Sequence, residues 1–413
     1  MPNFNDISIC VACGESNLLA VLDLGLQPLA NALKDDAKLM SEEFPLKLNR
    51  CENCFHAQLS VAVNPSLLFS NYLYASGTST TLQEYFDYFA HKYLDSKGKN
   101  LKVLDIASND GSFLKVVKKH GHRVLGVDPA ANLLGQAHSN GVETVCGFWP
   151  GDFLDFVGNL DVIVAMNVFA HVQNPLEFLL ACKTKIMDDG VILIQTSQAK
   201  MIELGQFDTM YHEHVSFFNT KSMVELARRA GLVITQVTYE DIHGISYVWE
   251  LRKFGDMISS LNEVVAHENS VKLFEQATYL SFAKKALISA EKASDYLSKC
   301  KSRGMRIIGY GVAAKGNTFI YYSNLPLDFM VDDNPLKQNK FTPGMNLKVF
   351  QPEVIREIAE PICFLVPAWN FIEEIETNIE LFRAEQPNYI DEIVTYFPEF
   401  RVKTLRGGTN EID

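Results

Sequence analysis

The chain has 413 residues, 47% of them apolar and 21% charged, with a formal net charge of −13. That length calls for two or three ordinary globular domains, and the acidic balance argues against an extended phosphate-backbone partner such as DNA or RNA while leaving room for a nucleotide-sized pocket. Met1-Pro2-Asn3-Phe4-Asn5-Asp6 lacks the basic and apolar regions of a secretory signal, and no apolar run approaches the ~18 residues of a membrane span, so a cytoplasmic protein without a membrane partner is expected.

Cys10-x-x-Cys13 and Cys51-x-x-Cys54 form two knuckles. A two-residue gap lets a tight turn set two thiolates on one edge of a tetrahedron, and two such turns close a four-sulfur site. With reduced thiols expected, the pattern predicts zinc held by Cys10, Cys13, Cys51 and Cys54. Four protein ligands leave no open coordination position, so this metal is structural and supports a small core. The bland alternative is two unrelated turns with buried thiols. Cys146, Cys182, Cys300 and Cys363 read as small buried side chains.

Tyr72 and Tyr74 precede a helix that the spacing of Leu82, Tyr85, Phe86, Phe89 and Tyr93 starts near Thr78 or Ser79. As loop phenols these two tyrosines are ligand candidates; most of the aromatics after them are core.

Val103-Leu104-Asp105-Ile106-Ala107-Ser108-Asn109-Asp110-Gly111 reads as a strand and tight turn leading into a helix over Ser112–Lys119, the first βα turn of a doubly wound sheet. The next strand ends at Asp128, placed to bond the hydroxyls of a ribose, and another, Leu160–Met166, ends at Asn167. Asp105, Ala107, Ser108, Asn109, Gly111, Asp128 and Asn167 are therefore the cofactor-binding candidates. Ala107 narrows the close approach a pyrophosphate needs. Two strands, Leu232–Tyr239 and Ile245–Leu251, form a hairpin that closes the sheet, a methyltransferase habit. Both features point to S-adenosylmethionine rather than a nicotinamide dinucleotide.

After the strand Val191–Thr196 comes Tyr211-His212-Glu213-His214. Two imidazoles flanking a carboxylate, with a phenol beside them, suit proton abstraction near neutral pH. A polar helix cap or a pair of structural histidines is the alternative. His171, near the expected cleft, is a second-rank candidate.

From Val265 to Lys301 the chain lacks proline and glycine and predicts one long helix or a helical pair. A second strand-turn-helix unit follows in Gly309-Tyr310-Gly311-Val312-Ala313-Ala314-Lys315-Gly316-Asn317, then a strand ending at Asp332. A diphosphate cradle and a merely tight-packed turn explain the glycines equally well. Trp369 could stack on a base or simply fill core.

In this order the motifs resemble the nucleotide-sugar C-methyltransferases over nearly the whole chain. The resemblance rests on the two CxxC pairs, Tyr72-Leu73-Tyr74 with Ser76 to Ser79, Ser108-Asn109-Asp110-Gly111, Tyr211-His212-Glu213-His214, Gly309-Tyr310-Gly311 with Ala314-Lys315-Gly316, and Pro343-Gly344. It implies an α/β architecture in which a class I methyltransferase sheet is flanked by a small amino-terminal zinc domain and a carboxy-terminal Rossmann-like lobe. The expected boundaries are 1–75 for zinc, 76–260 for S-adenosylmethionine, and 261–413 for a helical linker and nucleotide-sugar lobe.

By the resemblance His214 is the base, with Tyr211 and Glu213 assisting and Tyr72 or Tyr74 matching the tyrosines of the early motif. The lobe would hold the nucleotide diphosphate of a sugar through Gly309, Gly311, Lys315, Gly316, Asn317 and Asp332, with His171 of the central domain as a further substrate-binding candidate. Two departures are Ala107, where the family has the first glycine of the cofactor turn, and His243-Gly244-Ile245-Ser246, where it has His-Gly-Gly-Ser.

The expected reaction is S-adenosylmethionine-dependent methylation at C3 of a 4-keto-deoxysugar carried on dTDP. The base would leave an enolate stabilised by Tyr211 or by a protonated neighbouring imidazole, without a catalytic metal. The competing readings are a zinc-module RNA-binding or RNA-modifying methyltransferase and an NAD-dependent sugar dehydrogenase. The oligomeric state stays open, a monomer included.

Overall fold

The computed structural model describes residues 3–70, 72, 76–78, 80–197, 200–242, 244–256, 259–384 and 390–405. The chain divides into two compact units. The first holds Met1–Ala20, Asn49–Ala199 and Glu213–Phe274; the second holds Val21–Leu48, Lys200–His212 and Glu275–Asp413. After β1 (Phe4–Asp6), strands β2 (Leu18–Pro28) and β3 (Glu43–Cys51) take the chain from the first unit into the second and back.

In the first unit β4 (Ala57–Leu59) and β5 (Val61–Val63) follow the second cysteine pair. β5 pairs antiparallel with β1. The main sheet uses β6 (Lys102–Ile106), β7 (Arg123–Asp128), β8 (Thr144–Cys146), β9 (Leu160–Met166), β10 (Ile186–Thr196), β12 (Val233–Glu240) and β13 (Ser246–Arg252), while β11 (Ser216–Phe217) pairs with β4. Its order is β12-β13-β10-β9-β6-β7-β8. The five strands β10-β9-β6-β7-β8 are parallel, and β13 runs antiparallel to both β10 and β12.

Near-continuous apolar runs suit such a sheet because both its faces are covered. Along β9 the residues alternate: Val162 and Val164 join one core with Phe86, Phe89, Phe113 and Leu193, and Ile163 and Ala165 join the other with Phe178, Leu226 and Trp249. The covering helices include α1 (Thr80–Phe89), α2 (Ser112–Lys119), α3 (Pro175–Lys185), α4 (Thr220–Ala230) and α5 (Ser259–Ser270). Asn219 and Ser222 form a capping box at α4, which ends on Gly231 at φ 65°. β6 has β7 on one side and β9 on the other, so the sheet's switch point lies at their carboxyl ends.

The second unit contains α6 (Gln276–Ser302), β14 (Arg306–Tyr310), α7 (Ala314–Tyr322), β15 (Phe329–Val331), β16 (Val349–Phe350), β17 (Ile362–Leu365), α8 (Ile372–Phe382), β18 (Asp391–Thr395) and β19 (Arg401–Leu405). Its sheet order is β16-β15-β14-β17-β18-β19, parallel except for β19.

Three expectations are refined. The helical stretch expected over 265–301 falls in a pair, α5 and α6, broken where Lys272 turns left-handed at φ 57° and the Leu273 amide returns to the Glu268 carbonyl. α1 begins at Thr80, because Ser76–Thr78 form a separate 3-10 turn. Cys146 is exposed rather than buried, since it ends β8, the outermost strand of its sheet.

Candidate active site and zinc centre

The turn after β6 is built from left-handed residues: φ is 61° at Ala107, 52° at Asn109 and 74° at Gly111. That conformation brings the Ala107 and Ser108 amides onto the Val127 carbonyl (2.7 and 3.1 Å). Asp128 accepts from the Asn109 amide (2.7 Å) on one oxygen and from the Ala130 amide (2.7 Å) on the other. Burial raises the Asp128 carboxyl above its ordinary value, against the pull of those two amides. Asp105 is buried with Oδ1 unpartnered, and burial, then the neighbouring Asp128 charge, pushes it well up.

Two buried carboxyls and an orphaned oxygen fit a ligand rich in hydrogen-bond donors, as the ribose hydroxyls and ammonium of S-adenosylmethionine are. Ser108 faces inward, its hydroxyl lying where a Cβ on Gly126 would fall, at 2.4 Å. The Asn109 side chain accepts from the Ser76 amide (2.9 Å), and Asp110 accepts from Gly77 (2.9 Å), so the 3-10 turn is tied to the cofactor turn.

Asn167, at φ 56° beyond β9, accepts on Oδ1 from Gln195 Nε2 (3.3 Å), and its amide donates to the Gln195 carbonyl (3.0 Å). Tyr85 donates to Gln195 Oε1 at 2.6 Å. Sequence reasoning treated Tyr85 as core and passed over Gln195. A glutamine inside an apolar strand was the available signal, since buried amides need partners.

Tyr72 is held through its backbone by Asn132, which accepts from its amide (3.1 Å) and donates to its carbonyl (2.9 Å). Its hydroxyl reaches Glu213 Oε2 at 3.4 Å, a long contact. The buried His214 ring lies 5.0 Å from that of His171 and 6.2 Å, edge-on, from Phe217. Burial pushes His171 down to about 4, opposed by the backbone carbonyls of Asn167 and Glu213. That lowering favours the neutral ring over the protonated neighbour expected as an oxyanion donor.

His212 belongs to the second unit. Its Nε2 faces the Phe44 and Pro45 carbonyls at 3.3 Å each, its ring meets Phe44 edge-on, and burial pushes it to about 4. The same lowering favours its neutral form, and its contacts are those of a histidine packed within the second unit. Tyr211 is half-buried just before it. Tyr74 and His243 lie outside the described residues.

The four knuckle sulfurs converge. Cys10–Cys54 and Cys13–Cys51 Sγ atoms are each 3.5 Å apart, and all four lie within 4.8 Å of one another. Tetrahedral Zn–S bonds of about 2.3 Å require sulfurs roughly 3.8 Å apart, so the set fits zinc. The Cys13 and Asn53 amides point at Cys10 and Cys51 sulfur (3.5 and 3.4 Å), the usual support for thiolates.

In the second unit Asp332 accepts from the Val312 amide (2.6 Å) and the Asn334 amide (2.9 Å), repeating the wiring of Asp128. Lys337 Nζ also lies on it at 3.3 Å. The glycines are filled by packing: a Cβ on Gly309 would fall 2.2 Å from Met330 Sδ, on Gly311 2.9 Å from Ala368, and on Gly316 2.3 Å from Pro367. Asn317 donates to the Ala30 carbonyl (2.8 Å).

Lys315 Nζ sits 3.6 Å over the Trp369 ring and donates to Asn370 (2.9 Å); burial pushes it down to about 8. The Trp369 indole and the Tyr396 hydroxyl both donate to the buried Asp208 (2.9 and 2.8 Å). Cys300, Cys363 and Glu392, distant in sequence, also meet, with the Arg303 guanidinium on Cys300 (2.9 Å) and Glu392 (2.7 Å) as their cation.

The reversed β13 between β10 and β12, with a donor-seeking turn after β6, defines a class I S-adenosylmethionine-dependent methyltransferase rather than a dinucleotide dehydrogenase. Comparison with known proteins narrows the class. Family models match in succession a zinc binding domain over residues 10–69, a methyltransferase domain over 74–237 and a C-methyltransferase C-terminal domain over 242–393. The C-methyltransferase NovU of Streptomyces niveus is 28% identical over 96% of this chain and 97% of its own length. A ubiquinone biosynthesis O-methyltransferase of Burkholderia thailandensis is 24% identical over 44% of this chain and 82% of its own.

Among solved structures, magnesium protoporphyrin IX methyltransferase from Synechocystis PCC 6803 aligns with 41% of this chain and 82% of its own, at 13% identity and TM-score 0.34. With these three domains in succession the chain is an S-adenosylmethionine-dependent C-methyltransferase, and its four paired cysteines fit the structural zinc of the first domain. Among the described residues no helix is long and apolar enough to cross a membrane.

Proposed function

We propose that the protein methylates C3 of a 4-keto-deoxysugar carried on a nucleoside diphosphate, dTDP being the first choice. The observation that carries this is the grouping of Tyr72, Glu213, His214 and His171, tied through Asn132 to the loop that presents Asp128. A C3 hydrogen is acidic only beside the C4 ketone, so C-methylation needs a base and an oxyanion donor, not a metal ligand set. His214 removes the proton. Tyr72, with Tyr211 and Tyr74 on the strength of the resemblance, donates to the enolate oxygen, each donor worth about 3–4 kcal/mol. Glu213 orients the Tyr72 hydroxyl, and the neutral His171 lines the pocket.

Asp105, Ala107, Ser108, Asn109, Gly111, Asp128 and Asn167 hold S-adenosylmethionine, which supplies the electrophilic methyl group. The second unit holds the nucleotide, with Lys315, Asn317 and Asp332 beside the turn Gly309–Gly316. The NovU similarity, which spans both units, supports methylation at carbon as the reaction.

The test is His214→Asn. It should bind S-adenosylhomocysteine with about wild-type affinity yet turn over a dTDP-4-keto-deoxysugar about 10²–10⁴-fold more slowly. Near-normal turnover would remove His214 from the mechanism.

A further inference from the structure

The Cys51–Cys54 knuckle runs directly into β4, and β4 is the strand that β11 lies on. Gln58 pairs with Ser216, Ala57 with Phe217, and the Leu59 amide donates to the Val215 carbonyl at 2.9 Å. Two side-chain bonds join the end of the knuckle to the same segment. His56 Nε2 is 3.2 Å from Ser216 Oγ, and Asn219, the N-cap of α4, donates to the Phe55 carbonyl at 2.8 Å. The His56 ring leans on Phe218 (4.7 Å), Phe218 stacks on Phe169 (4.9 Å), and Phe169 opens the 3-10 turn Phe169–His171. The knuckle thus reaches the segments bearing both histidines of the proposed site.

His56 is fully buried. An aliphatic side chain would fill that space without the cost of burying an imidazole, and the Nδ1 of His56 has no partner. What the imidazole adds is the Ser216 contact, and β11, only two residues long, has few ladder bonds of its own.

We propose that His56 is a positioning residue for His214: through Ser216 and Phe218 it transmits the rigidity of the four-cysteine centre to the strand that presents the base. The proposal rests on the role of His214 given above. A base displaced by about 1 Å by a distant change can lose about 10²-fold in rate.

The experiment compares His56→Leu, His56→Gln, Ser216→Ala and His214→Asn in the zinc-loaded full chain. His56→Leu and Ser216→Ala should lower kcat about 10–100-fold while KM, S-adenosylhomocysteine affinity and zinc content stay within about twofold. Amide exchange at Val215, Ser216 and Phe217 should quicken. His56→Gln, whose amide can still meet Ser216, should recover most of kcat. Wild-type kcat and exchange in both His56→Leu and Ser216→Ala, with His214→Asn inactive, would overturn the proposal and leave the base assignment standing. An active His214→Asn would instead overturn the base assignment, and with it the positioning role. Should His56→Leu not fold, Ser216→Ala decides alone.

Discussion

The turn after β6 offers two substitutions that should move stability in opposite directions. Ala107 sits at φ 61°, a conformation that costs an L-residue about 1–2 kcal/mol. Ala107→Gly removes that strain but gives the unfolded chain freedom worth about 0.4–1 kcal/mol. The net should be about 0.5–1 kcal/mol of stabilisation, or a rise of about 1–4 °C in the melting of the first unit. Gly111→Ala reverses both terms. It places a side chain at φ 74° and a Cβ 3.2 Å from Val142 and 3.3 Å from the Ala137 Cα. Strain of about 1–2 kcal/mol and overpacking of about 1–3 kcal/mol, less about 0.4–1 kcal/mol of unfolded-chain freedom removed, should leave a cost of about 1–5 kcal/mol. Buried Trp149 and Trp249, both in the first unit, allow fluorescence-detected thermal unfolding to follow each variant without cofactor. If Ala107→Gly loses about 1 kcal/mol, as an ordinary loop alanine would, the strain argument is wrong.

Two further predictions concern pH. Asp105 is raised in the folded state, so its ionised form opposes folding above the unfolded carboxyl value of about 3.9 and the penalty disappears below it. Asp105→Asn should therefore stabilise the cofactor-free protein at pH 7, with a gain that shrinks toward pH 4; chemical denaturation at both pH values checks this, and no gain at pH 7 would contradict it. His120 is raised by Asp87 and then Asp95 (Nε2–Oδ1 3.1 Å, Nδ1–Oδ2 2.8 Å). Its stabilisation is fully present below the unfolded value near 6.5 and is lost as pH rises through the higher folded one. His120→Leu should accordingly cost more stability at pH 5.5 than at pH 9, and an equal cost at both would sink the assignment.

The two main sheets were legible because strands in them are short apolar runs that end in Asp128 and Asn167 in the first unit and Asp332 in the second, and α2 fell on its expected residues. The zinc centre was legible because each ligand pair is local. What escaped the sequence depends on placement. Nothing in the motif told that His212 packs on Phe44 while His214 faces His171. Gln195 hides within an apolar strand, and Tyr85 shares helical spacing with true core residues. Cys300, Cys363 and Glu392 come together only through the sheet of the second unit. The two departures from the family pattern became intelligible once backbone angles were known. Ala107 and Ile245, at φ 61° and 88°, both lie in the positive-φ region that glycine reaches at no steric cost, which is where a glycine would be expected.

The repeated wiring of Asp128 and Asp332 gives the two units different vocabularies. Each acid spends one oxygen on the turn that precedes its strand and the other on the amide two residues ahead, so the scaffold is the same. In the second unit an ammonium from Lys337 is already seated on the acid, and a ligand arriving there meets a neutral ion pair that can donate as well as accept. In the first unit an approaching ligand meets acceptors. One backbone device is thus used twice in a single chain, and a single lysine sets the two apart by placing a donor beside the acid in the second unit.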